Sequence, residues 1–336
     1  VGEPVDQLGR PVRDLRLSVT DRCNFRCPYC MPREIFGPGH QFSPQSEILT
    51  YQELARVVTA FAALGVTKVR LTGGEPLLRR DLEALIEMVA GTPGIDDIAL
   101  TTNGSLLATR AGSLRAAGLS RVTVSLDSID PAVFAAMGDT RVPLSDVLEG
   151  IDAARDAGLS PVKLNAVVQR GVNDAGLLDL VGYARDHGAV LRFIEYMDVG
   201  TSNGWVRDEV VPGAEILDRV NAVYPLEAVA ASTRGEVARR WRYLDGAGEL
   251  GVISSVTQPF CTDCTRARVT ATGELFTCLF AVRGRDLRAL LRGGASDDDI
   301  QQAIAEVWSG RSDRYSELRG RLGRELPHAE MSYLGG

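Results

Sequence analysis

The sequence predicts an α/β protein: an incomplete, laterally open (β/α)6 barrel of the TIM type, followed by a smaller C-terminal α+β part. Three observations carry this expectation. Apolar, β-branched runs alternate with helical periodicity between residues 14 and 195, and strands that alternate with helices pair in parallel through right-handed crossovers. Helix ends repeat one glycine signature at the same interval. Polar residues gather at the end of each run, where a barrel of this kind keeps its site. An open doubly wound sheet shares the first two features, and the third favours the barrel. Six units rather than eight leave one side open, wide enough for a bulky substrate.

The strands fall at Leu15–Thr20, Val66–Leu71, Ile95–Thr101, Arg121–Leu126, Val162–Val168 and Val190–Ile194. Thr50 and Glu53 have capping-box spacing, and Leu54, Val57, Val58, Phe61 and Leu64 follow on one helical face before Gly65. A second helix runs from Asp81 through Leu82, Leu85, Ile86 and Val89, and Asp130-Pro131 opens another. Gly65, Gly118, Gly158 and Gly188 each precede a strand, as helix C-caps do. The strand ends carry Thr20, Thr72-Gly-Gly-Glu-Pro76, Thr101-Thr-Asn-Gly104, Ser125, Asn165, and Glu195 with Met197. After about residue 200 the repeat fades into short strands and turns, and Ser296 begins a helix whose acidic first turn suits its N-terminus. The expected division is 1–200 for the barrel and 201–336 for the part that covers its opening.

A formal net charge of −7 and a pI of about 5.2 argue against a nucleic-acid surface. No apolar stretch approaches the roughly 18 residues of a membrane helix, and no secretory leader is visible. A cytoplasmic enzyme is the expectation. The sequence starts at Val1 rather than methionine, so a short preceding segment is expected.

The six cysteines form two triads with none left over: Cys23, Cys27 and Cys30, then Cys261, Cys264 and Cys278. Three disulfides are one possibility, but disulfide density belongs to small secreted domains, and 336 residues can bury a core without staples. Structural zinc takes four protein ligands, and neither triad has a nearby fourth cysteine or histidine. An iron–sulfur cube capped by three cysteines leaves one iron open to an outside molecule. Two such sites suggest an enzyme in which one centre handles a cofactor and the other a substrate.

The Cys-x3-Cys-x2-Cys loop after the first strand, with Tyr29 before its last cysteine, resembles the signature of radical S-adenosylmethionine (SAM) enzymes, and Gly73-Gly-Glu-Pro76 after the second strand strengthens the likeness. With Cys261, Cys264, Arg266, Arg268, Cys278 and the terminal Gly335-Gly336, nearly the whole chain resembles the MoaA family, the GTP 3′,8-cyclases of molybdenum cofactor biosynthesis. The resemblance implies two [4Fe–4S] clusters, one per triad, with SAM on the first and the guanine edge of GTP on the second. It implies hydrogen removal from ribose C3′ and closure onto guanine C8.

The same resemblance assigns Tyr29, Gly73, Gly74, Glu75, Ser125 and Met197 to SAM. To GTP it assigns Arg16, Lys68, Arg70, Thr101, Lys163, Arg192, Arg266 and Arg268, as contacts at strand ends. Arg16, Arg266, Arg268 and the tail glycines Gly335 and Gly336 take catalytic roles in it. A triphosphate needs cations concentrated in an otherwise acidic protein, and the arginine fork matches phosphate oxygens. Arg239, Arg240 and Arg242 read instead as a solvated face. The implied partners are an external low-potential electron donor and the downstream cyclic pyranopterin monophosphate synthase (MoaC), with a homodimer possible.

Overall fold

In the computed structural model, residues 2–200, 202–231, 233–318 and 329–335 are described. The barrel strands are β1 (Asp14–Ser18), β2 (Lys68–Thr72), β3 (Asp97–Thr102), β4 (Arg121–Ser125), β5 (Lys163–Val168) and β6 (Val190–Glu195). Each lies within about two residues of its expected place. The C-terminal part adds β7 (Leu226–Val229), β8 (Arg239–Tyr243), β9 (Glu249–Ile253), β10 (Arg266–Val269), β11 (Glu274–Phe276) and β12 (Arg285–Asp286).

All twelve belong to one sheet in the order β12-β11-β10-β1-β2-β3-β4-β5-β6-β9-β8-β7. The six barrel strands are parallel, as expected. The C-terminal part was expected only to cover the opening, yet two of its strands extend the parallel sheet itself. Strand β10 pairs in parallel with β1, and β9 pairs in parallel with β6. The physical reason is edge satisfaction: an open barrel presents unpaired backbone groups on its first and last strands. Among the described residues no ladder joins β9 to β10, so the sheet stays open between them.

Local signals act as their chemistry requires. Thr50 and Glu53 complete a reciprocal cap on the helix Tyr51–Ala63, and Ser296 with Asp299 does the same on Asp297–Ser309. The Asp130 carboxylate accepts from the backbone N–H groups of Ala132 and Val133. Gly65, Gly118, Gly158 and Gly188 all have positive φ, which ends each helix and turns the chain into the next strand. Leu15, Leu17, Val69, Leu71, Val122, Val124, Leu164 and Leu191 face outward onto the helices and are wholly buried. The alternate residues of the same strands face inward, and they are mostly polar. That departs from the apolar interior usual for a closed barrel, and it brings charged and hydroxyl side chains into a lumen whose other walls are apolar.

Candidate active site

Both cysteine triads line one cavity, together with Arg16, Arg70, Thr101, Ser125, Asn165, Arg192, Met197, Arg266 and Arg268. They sit at opposite ends of the strands. Cys23 follows the end of β1, whereas Cys264 directly precedes β10, whose Arg266 is in register with Asp14 at the start of β1. A five-residue parallel strand spans roughly 13 Å, so the two ends are separated by about the length of a nucleoside.

All six cysteines are free and half-buried. Burial raises the first triad: Cys23 to about 11, helped by Glu75, Cys30 to about 12, helped by Cys23, and Cys27 well up, helped by Cys30 and Cys23. Burial also raises Cys278 to about 11, helped by Asp313. At Cys264 burial is outweighed by the Arg266 and Arg311 guanidiniums, which bring the thiol down to about 6. Among the described residues no group of three His, Cys, Asp or Glu is disposed around a single metal ion. Free thiols in threes, at the rim of a common cavity and mutually repelling as thiolates, fit a larger core carrying several metal atoms.

The turn after β2 is locked onto the first cysteine loop. Gly74 N–H donates to Thr20 O at 2.8 Å, and Glu75 N–H donates to Arg22 O at 2.8 Å. A Cβ on Gly73 would stand 2.6 Å from Thr20 O, and one on Gly74 2.4 Å from Arg22 O. The close approach that requires glycine here is therefore to the cysteine loop, not only to a cofactor. Gly73 and Gly74 line the cavity, but Glu75 does not. Its wholly buried carboxylate accepts from Leu77 N (2.9 Å), Thr102 Oγ1 (2.8 Å) and Asn103 N (2.7 Å). Burial raises this carboxyl to about 7 against those three bonds. Glu75 thus ties the β2 and β3 turns together.

Tyr29 lines the cavity, and its hydroxyl donates to Asp127 Oδ2 at 2.8 Å. Asp127 also accepts from Val167 N–H at 2.9 Å, and burial raises it to about 6 against these bonds. Ser125 and Met197 line the same space.

The charged residues of the lumen lie in two tiers. At the floor Arg266, Asp14, Lys68 and Asp97 stand side by side across β10, β1, β2 and β3, alternating in sign. Lys68 lies 3.6 Å from Asp14 and 3.9 Å from Asp97. One pleat higher, Arg268, Arg16 and Arg70 are neighbours across β10, β1 and β2. All three are positive. Arg70 donates to Thr101 Oγ1 (3.2 Å) and Thr123 Oγ1 (3.1 Å), and Arg192 donates to Thr123 Oγ1 (3.2 Å) from the far wall. Arg16 makes no hydrogen bond or ion pair among the described residues, and its Nε is buried. Burial and then Arg268, Arg266 and Arg70 push its guanidinium well below the usual range.

Strand ends were expected for these cations, and only some of them lie there. Arg16, Arg70 and Arg192 are mid-strand, and Lys68 and Lys163 are the first residues of theirs. Inward alternation, not strand termination, is what places them. Neither lysine lines the main cavity. Lys163 is held down to about 8 by burial and then by Arg192 and Arg121.

The tail also arrives. Gly335 O accepts from Arg268 Nη1 at 2.8 Å, and a Cβ on Gly335 would stand 2.3 Å from Thr72 Oγ1 and 3.1 Å from Ser18. Gly336 lies outside the described residues. Glu195, expected among the strand-end polar residues, faces away from the cavity. It is wholly buried and accepts from Gly213, Val256 and Thr257 backbone N–H groups, stapling β6 to the segment after β9. Arg240 and Arg242 pair with Glu249 and Glu227 on the outer strands. Sequence reasoning missed Asp127, Asn103 and Thr123. Asn103 was within reach, since it sits in the Thr-Thr-Asn-Gly turn already marked.

The Radical SAM superfamily profile matches residues 17–184, and the Molybdenum Cofactor Synthesis C profile matches 189–317. A GTP 3′,8-cyclase of Acidothermus cellulolyticus is 60% identical over 94% of this chain and 88% of its own length. The chain belongs to the GTP 3′,8-cyclase family of radical SAM enzymes. Another member of that family, from Xanthomonas axonopodis, is 51% identical over 98% of both chains. Among solved structures, Streptococcus suis SuiB bound to S-adenosylmethionine superposes with a TM-score of 0.63 at 13% identity, covering 95% of this chain and 77% of that one. That likeness concerns the fold. The family boundary near residue 189 falls close to the last barrel strand.

Proposed function

We propose that this chain converts GTP to (8S)-3′,8-cyclo-7,8-dihydroguanosine 5′-triphosphate, the first step of molybdenum cofactor biosynthesis. The observation that carries the reading is the unneutralised row Arg268–Arg16–Arg70 inside a cavity with a cysteine triad at either end. Arg70 and Arg268 are buried and Arg16 is half-buried, and none of the three has an ion-pair partner among the described residues; a nucleoside triphosphate supplies the polyanion that such a row favours.

In this reading Cys23, Cys27 and Cys30 hold one [4Fe–4S] cluster and Cys261, Cys264 and Cys278 the other. The first, with bound SAM, supplies a 5′-deoxyadenosyl radical able to take hydrogen from unactivated carbon. The backbone of Gly73 and Gly74 faces the methionine end of SAM. Tyr29, fixed by Asp127, lies by the adenine, and Ser125 and Met197 complete the pocket. The guanine points to the second triad. The phosphates lie among Arg16, Arg70, Arg192 and Arg268, with Lys68, Lys163 and Thr101 behind them. Arg266 sits between the second triad and the arginine row, its Nη2 3.3 Å from Cys264 Sγ. Holding base and ribose at fixed ends of one lumen makes the closure intramolecular, an orientation effect of several kcal/mol. Gly335 and Gly336 bring the tail to Arg268.

The division at residue 200, an external low-potential electron donor, hand-over to cyclic pyranopterin monophosphate synthase (MoaC), a homodimer and a cytoplasmic setting complete the proposal. No helix among the described residues is long and apolar enough to cross a membrane. The test is anaerobic incubation with GTP, SAM and a strong reductant. Formation of 5′-deoxyadenosine with a cyclised nucleotide supports the reading, whereas 5′-deoxyadenosine with GTP unchanged refutes it.

A further inference from the structure

The segment before β1 carries a buried charge network that the reaction does not explain. Asp6 and Arg10 are almost fully buried, and Arg311, from the other end of the chain, is 4% exposed. Arg10 Nε donates to Asp6 Oδ2 at 2.6 Å, and Arg311 Nη1 stands 3.4 Å from the same oxygen. Further guanidinium donors reach the second cysteine loop and Asp313, whose carbonyl accepts from Arg10 Nη1 at 3.0 Å. Arg10 Nη1 donates to Cys261 O at 2.5 Å, and Arg311 Nη1 donates to Cys264 O at 2.7 Å. Trp308 Nε1 donates to Arg10 O at 2.9 Å, and the Arg311 guanidinium stacks on the Trp308 ring. Asp313, 3.4 Å from Arg311 Nε, is the only other carboxylate bonded into this network among the described residues.

Buried guanidiniums are retained where they satisfy specific acceptors. Here the acceptors are the carbonyls of two of the three cysteines of the second triad. We propose that Asp6, Arg10 and Arg311 are positioning residues of the auxiliary cluster, binding the N-terminal segment to its cysteine loop and setting its electronic environment. The inference rests on the reading that Cys261, Cys264 and Cys278 hold a cluster. Drawing both carbonyl oxygens onto arginines keeps those negative dipole ends off the cluster, and the guanidiniums favour its reduced, more negative state. Charge and hydrogen bonding around the sulfurs set such potentials. In the first triad Arg26 Nη1 donates to Cys23 O at 2.7 Å, and none of the variants below touches that contact.

The experiment is an EPR-monitored redox titration of the anaerobically reconstituted full chain, with iron counted per chain. The variants are Arg311→Gln, Arg311→Lys and the paired Asp6→Asn/Arg10→Met. Arg311→Gln should move the auxiliary midpoint potential to more negative values while the first cluster's stays put, and Arg311→Lys should recover part of the shift. If the paired variant does not fold, the two Arg311 variants decide. Wild-type-like auxiliary potentials at full iron loading in Arg311→Gln overturn the proposal. Wild-type protein that binds about four irons rather than about eight overturns the cluster reading beneath it.

Discussion

Replacing Arg16 with methionine should make the nucleotide-free protein more stable and shrink the further stabilisation that GTP confers. Arg16 is flanked in register by Arg268 and Arg70 and makes no compensating bond among the described residues. Guanidiniums splayed to about 8 Å repel by about 2 kcal/mol each at an effective dielectric near 20, and water in the cavity reduces the total to on the order of 1–2 kcal/mol. For a chain of this size that raises the melting temperature by roughly 1–4 °C. The same change removes a charge-assisted hydrogen bond to phosphate, about 2 kcal/mol or roughly thirtyfold in affinity. At a GTP concentration about 100 times the wild-type dissociation constant, nucleotide stabilisation should drop from about 2.7 to about 0.9 kcal/mol. The assay is thermal unfolding of cluster-loaded protein with and without GTP. A lower melting temperature without nucleotide, together with an unchanged GTP shift, would show Arg16 to be a structural cation and refute the argument.

Four further outcomes follow from the same geometry. Cys27→Ser should abolish SAM cleavage, whereas Cys278→Ser should keep some uncoupled 5′-deoxyadenosine formation while losing GTP binding; normal turnover in the latter would count against an auxiliary cluster. Gly74→Ala should cost the first cluster selectively, because its Cβ would stand 2.4 Å from Arg22 O; iron analysis should fall by about half. Gly335→Ala should depress cyclisation while sparing SAM cleavage, since its φ is +70° and its Cβ would strike Thr72 Oγ1; product analysis by chromatography separates the two activities. Lys163 titrates near 8, below the usual lysine range. GTP affinity should therefore weaken as pH rises through about 8, and Lys163→Met should flatten that dependence in calorimetric titrations. The lowered lysine has a second sign: the unfolded chain binds more protons between about 8 and 10.5, so this group's contribution makes the empty protein more stable as pH rises across that window.

The barrel strands and helix ends were legible because their signals are local. A β-branched run such as Arg121–Leu126 and a glycine such as Gly118 act within a few residues of themselves. The parallel additions of β9 and β10 were not legible. What recruits them is the open edge of a strand distant in sequence, which no local pattern records. The six cysteines were readable as two triads, but not that the triads stand at opposite ends of the lumen. That arrangement follows from Cys264 preceding a strand and Cys23 following one. Arg16 and Arg70 stood out as charges within buried runs, but their register partners did not. The motif around Glu75 was legible, but not that its carboxylate ties the β2 and β3 turns together. Asp6 and Arg10 carried no signal at all, because an acid and a base four residues apart usually sit on a wet surface.

The insertion of β10 beside β1 has a consequence for how this protein is made. The nascent chain carries a bare sheet border beside β6 until residue 253 has been synthesised, and one beside β1 until residue 269. A ribosome that stops early therefore releases a sticky fragment rather than a smaller enzyme. Loading of either inorganic centre belongs after translation, when the last third of the polypeptide has sealed both flanks.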